Sequence, residues 1–143
     1  MINIIVFILF APLIWFFGWY LHELFHKLAA KVQGVDSYIQ IWYNHGIPSM
    51  RCIPKQTLPH PGLFDIAGGL GAGLSLLLLS YLGYSYWPLF IPFFVVGSIN
   101  FIYGFYEVTF LRRWSINKYM KYHYLLYLIV GIMSLIIAIH GVY

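Results

Sequence analysis

Charge is what this sequence has least of. Charged residues make up 8% of its 143 positions, and the acids are four in all: Glu23, Asp36, Asp65 and Glu107. A soluble domain carries about a quarter charged residues, so an ordinary soluble enzyme is excluded. With 62% hydrophobic and 21% aromatic residues, the composition implies a multi-pass membrane protein. Cysteine is almost missing too. The single Cys52 excludes an internal disulfide framework and is too little thiol for a zinc ribbon. The N-terminus has no basic n-region, and its apolar run continues into a polar cluster, so it reads as a first span and not as a cleaved signal peptide. There is no internal repeat and no low-complexity tail, and the length suits one domain over residues 1–143.

What the sequence does have is long apolar runs. At about 20 residues per crossing, they predict an all-α membrane protein of about four transmembrane helices, at roughly 3–31, 63–83, 88–111 and 123–142. Gly83 and Pro88, flanking YSYW, divide a run too long for one span, and the aromatics there suit an interface. The one sizeable polar stretch, about 33–61, contains SYIQIWY and SMRCI on either side of NHGIP. That alternation around a turn predicts a small β-hairpin over about 37–53.

Lys27, Lys31, Arg51 and Lys55 flank the first connection, and Arg112, Arg113, Lys118 and Lys121 lie in the third. By the positive-inside tendency both connections are expected to be cytoplasmic, hairpin included, with both termini outside. The net charge of +4 is thus a topology signal, and nucleic acid is not expected as a partner.

Against this apolar background residues 20–30 read YLHELFHKLAA. Polar side chains inside a span are costly and usually functional. His22-Glu23-Leu24-Phe25-His26 is an H-E-x-x-H pattern. Residues four apart share a helix face, so both imidazoles reach one ion, and zinc suits two neutral histidines with room for a third ligand and water. Glu23, three residues before His26, is placed to take a proton from water as general base. At this composition the pattern arises by chance in roughly one chain in three hundred. A helix-packing network and a proton relay in a transporter are the competing readings of the same residues.

HELFHKLAA resembles the active-site helix of site-2 proteases, the intramembrane zinc metalloproteases. Ala30 stands where that motif commonly has a small residue. The resemblance implies a zinc-dependent intramembrane endopeptidase of a prokaryotic cell membrane, acting on a membrane protein or peptide within the lipid bilayer, with a third ligand from a later helix. Glu107 is the expected ligand. It lies near the end of span three at the depth of the histidines, and Gly97, Asn100, Gly104 and Glu107 share one helix face. Small residues on that face are expected to let this helix approach the metal helix closely.

Asp65 is the alternative ligand; its other role is to complement the dipole at the start of span two. Glu107 pairing with Arg112 or Arg113 is the competing role for that residue. Asn100 and Tyr103 are possible oxyanion or substrate contacts. His45, His60, His123 and His140 do not share the cluster's depth. The run GGLGAGLS reads as helix packing through Gly69, Gly73, Gly71 and Ser75. An exposed edge of the hairpin, tested by prolines at Ile39 and Ile41, is expected to hold substrate in extended form. The functional alternatives are metal or proton transport, and a membrane metalloenzyme acting on lipid.

Overall fold

In the computed structural model the structure describes residues 2–44, 47–111, 125, 128–137 and 140. The chain runs as α1 (Ile2–Val32), a hairpin of β1 (Ser37–Asn44) and β2 (Ile47–Pro54), α2 (Pro61–Leu82) and α3 (Trp87–Tyr106). The last continues as a π-helical turn over Glu107–Leu111. Three stretches are long and apolar enough to cross a membrane: Asn3–Val32, Pro61–Leu82 and Trp87–Thr109. Their outward faces carry large apolar side chains, such as Ile8, Leu13, Leu78 and Leu82, each more than half exposed. In water such a surface would aggregate, whereas in lipid it is solvated.

Of the expected fourth span, the described part is a shorter apolar helix, Leu128–Ile137. Its Gly131 faces Ile99 of α3. Among the described residues three helices have the length of a crossing, and the rest of the expected fourth span lies outside them. Arg112, Arg113, Lys118, Lys121, His45 and His123 lie outside the described residues.

The breaks follow local chemistry. α1 ends where Gly34 adopts φ 73°; the Val35 N–H bonds to the Ala30 carbonyl and the Gly34 N–H to the Lys31 carbonyl. This is a Schellman closure, with Gly34 at the left-handed position that other residues avoid. α2 opens on Pro61 and α3 has Pro88 in its first turn, where a missing N–H costs nothing. Gln33 ties the two ends of the connection together: its side chain accepts from the His60 N–H at 2.7 Å and donates to the Ala29 carbonyl at 3.1 Å.

Small residues set the helix spacing. A Cβ at Gly69 would run into the backbone of Gly104, and one at Gly73 into Phe101. Gly97 lies against Leu76 and Leu77, and Gly104 against Gly69 and Leu70. The glycines of α3 therefore dock it on α2, which corrects the expectation that they face α1. The two polar members of that stripe, Asn100 and Glu107, reach toward α1 through their side chains. The hairpin folds back on α1 so that Cys52 meets Glu23, nine residues, or about 13 Å, before the helix end.

Candidate metal centre

Four elements converge at the hairpin end of the bundle. His22, Glu23 and His26 come from α1, near its C-terminal end, and are 5%, 7% and 5% exposed. α2 brings Phe64 from its first turn, and α3 brings Asn100, Tyr103 and Glu107 from its last two turns. β2 brings Cys52. Glu107 stands where the α-helical ladder gives way to the π turn. Within it the Thr109 hydroxyl donates to the Phe105 carbonyl at 2.6 Å, and side-chain hydroxyls of this kind compete for helix carbonyls. Single π turns of this kind recur at functional sites.

His22 Nε2 and His26 Nε2 are 3.0 Å apart, and Glu107 Oε2 is 3.3 Å from the first and 3.6 Å from the second. The outer nitrogens fix the tautomers. His26 Nδ1 lies 2.7 Å from the Phe64 carbonyl, which can only accept, so Nδ1 carries the hydrogen and Nε2 a lone pair. Asn100 Nδ2 donates to the Val96 carbonyl at 2.9 Å. Its Oδ1 therefore faces His22 Nδ1 at 3.2 Å and accepts from it, leaving a lone pair on His22 Nε2 as well. Glu107 Oε2 is buried with no hydrogen-bond donor. Three electron-rich atoms thus point at one spot, an arrangement that repels itself unless a cation or proton sits there. His22, His26 and Glu107 form a group that could hold a metal ion.

The residues around them orient the ligands. Phe64 stacks on His26 with ring centroids 4.6 Å apart, and Tyr103 lies against His22 at 5.5 Å. Asn100, expected as an oxyanion or substrate contact, instead uses its carbonyl on His22 and an N–H on Val96. Outer partners of this kind fix a metal-binding histidine's tautomer and direction. Asn100→Leu is therefore expected to weaken metal binding by roughly 10–100-fold; metal competition titration against a chelator reads this directly.

Asp65 is not a member of the group. His60 is exposed and engaged through its backbone. His140 is exposed as well.

Sequence reasoning had no access to two neighbours of the histidines. The Phe64 carbonyl is a backbone group without a side-chain signature. Gly68 carries a weak one, as the first glycine of the GGLGAG run: a Cβ there would lie 2.6 Å from His26 Cδ2 and closer still to Nε2. Burial raises the Cys52 thiol above its ordinary pKa, so it stays neutral at physiological pH; what it offers the site is its N–H, donated to Glu23 Oε2 at 2.6 Å.

No protein family, characterised protein or solved structure matches this chain.

Proposed function

We propose that the chain is an intramembrane zinc metalloprotease of the site-2 type, hydrolysing a peptide bond of a membrane-spanning or membrane-associated substrate. The observation that carries this reading is the convergence of His22 Nε2, His26 Nε2 and Glu107 Oε2 beside Glu23, within helices long and apolar enough to span a bilayer. The donor set supports zinc. A tetrahedral ion with bonds of about 2.0–2.1 Å has ligand edges of about 3.3 Å, and the three separations of 3.0, 3.3 and 3.6 Å bracket that value. Two imidazoles and one carboxylate leave a fourth position open, as catalytic sites require.

When bound, zinc polarises a substrate carbonyl and brings the pKa of a coordinated water near 7. The chain's own residues do the rest. His22 and His26 keep their Nε2 lone pairs turned inward because Asn100 and Phe64 hold their Nδ1 hydrogens. Glu23, next in sequence to His22, accepts the proton of the attacking water and returns it to the leaving amine. Apolar helices around the site restrict bulk water, which strengthens each of these interactions.

Substrate must arrive unwound, because helical peptide bonds are already hydrogen-bonded. An extended segment can pair with an exposed strand edge. The proline test at Ile39 and Ile41 addresses the outer edge of β1, whereas the edge next to Glu23 is that of β2. Ile39 pairs with Cys52, and the Cys52 N–H points away from β1 to Glu23, so the outer edge of β2 lies beside the site. The outward amides of Ile39 and Ile41 lie on the far edge of β1.

The test is metal content and cleavage together. Detergent-purified protein is expected to hold about one zinc per chain and to cleave a reconstituted single-span substrate, with chelation stopping cleavage and zinc restoring it. Zinc flux into liposomes without cleavage would move the reading to transport, and a chain that binds no zinc would end it.

A further inference from the structure

The outer edge of β2 holds a contact that the chemistry above does not use. The Lys55 N–H bonds to the Asp36 carbonyl, extending the ladder in which Ser37 pairs with Pro54 and Tyr38 with Ile53. Bonded and non-bonded pairs alternate along an antiparallel ladder. Odd-numbered residues of β2 therefore face β1, and even-numbered ones turn their backbone groups outward. Those outward residues are Pro48, Met50, Cys52 and Pro54. Both prolines thus stand where a missing N–H breaks no ladder bond. The edge is left with two donors, the N–H groups of Met50 and Cys52. Glu23 already holds that of Cys52, at 2.6 Å in a buried contact.

We propose that the Cys52 N–H is a latch on Glu23, opened when an extended peptide adds to β2 as a further strand. This rests on the reading of Glu23 as general base. A peptide in register with the edge needs the Cys52 N–H for one of its own carbonyls, and one hydrogen serves one strong acceptor. The carboxylate must leave as the strand arrives. While latched, Glu23 Oε2 is taken up by the Cys52 N–H and is not free to accept from water there. Released, its carboxylate is free of the hairpin and still carried on α1 one residue from His22. Substrate docking and activation of the base are then one event, and an empty site keeps its base occupied. Cys52 acts through its backbone as a positioning residue for Glu23.

Because Cys52 is the only cysteine, labelling the full-length protein with 15N-cysteine in detergent reports this one amide by NMR. The probe is a blocked Val-Thr-Val-Thr-Val peptide, which has no metal-binding group, in zinc-free protein. The Cys52 amide is expected to exchange with solvent roughly tenfold to a hundredfold more slowly than in Glu23→Ala, the protection given by a bond to a charged acceptor. The peptide is expected to shift this resonance, and to bind Glu23→Ala more tightly than wild type because its competitor is gone. Glu23→Gln, which keeps the side chain's shape, shows both effects in smaller degree and serves if the alanine variant does not fold. Met50→Pro is expected to weaken peptide binding without changing Cys52 exchange. Equal exchange in wild type and Glu23→Ala overturns the latch, as does equal, weaker or absent peptide binding in the variant. Zinc is absent throughout, so the latch can fail with the metalloprotease intact, and can hold where hydrolysis is never found.

Discussion

Replacing Glu23 with glutamine is expected to leave about one zinc per chain and to lower hydrolysis by roughly 10²–10⁴-fold, the contribution typical of a general base. The two side chains have the same shape, and a glutamine oxygen can still accept from the Cys52 N–H that now bonds to Glu23. The hairpin therefore stays docked, and lost activity cannot be put down to lost structure. KM is expected to fall modestly, since the neutral amide competes less well with substrate for the Cys52 N–H, while loss of a transition-state interaction lowers both kcat and kcat/KM. His26→Ala supplies the contrast. It removes one of the three atoms that converge on the metal position and is expected to abolish zinc binding and cleavage alike. Zinc content, kcat and thermal unfolding measured on both variants separate the roles. Full turnover in Glu23→Gln would remove the general base, and full zinc in His26→Ala would remove the metal centre.

Much of this was legible in the sequence because it rests on local rules. Spacing of four put His22 and His26 on one face, and apolar length placed three of the spans to within a few residues of their observed bounds. Alternation on either side of NHGIP located the hairpin, whose paired strands run from Ser37 to Pro54. Glu107 followed from helix-face periodicity joined to a shared depth, and the geometry brings it to the histidines. Which neighbour a face meets was not legible. The glycine stripe of α3 was correctly read as a close-approach surface and assigned to the wrong helix, since a small-residue pattern says how near a partner comes and nothing about its identity. The π turn at Glu107, the Phe64 carbonyl on His26 and the outward N–H of Cys52 are backbone features, and backbone direction is set by tertiary register. Asn100 shows the same limit. Its type and depth drew attention, but only the Val96 contact fixes its amide and turns it toward orienting His22.

Gly68→Ala is expected to cost zinc affinity at least the roughly 10–100-fold associated with a lost outer partner, although Gly68 ligates nothing. A Cβ at this position would lie 2.6 Å from His26 Cδ2, well inside contact distance. The ring has no easy retreat. Phe64, one turn earlier on the same helix, holds Nδ1 through its carbonyl at 2.7 Å and stacks on the imidazole. α2 therefore grips His26 with one residue and makes room for it with another. The helix is also fixed from behind, where Gly69 meets the Gly104 backbone and Gly73 meets Phe101. With ring and helix both held, the added methyl must push His26 Nε2 off the metal position.

Gly71→Ala is the control, because its Cβ would run into the Phe25 ring instead. Overpacking costs typically about 1–3 kcal/mol, so both variants should unfold at lower temperature than wild type, while zinc affinity falls in Gly68→Ala alone. The reverse pattern, with zinc kept in Gly68→Ala and lost in Gly71→Ala, would place the ion away from His26 and dissolve the site. Equal losses in the two would show that metal binding follows global stability, and that the room left by Gly68 has no particular bearing on it.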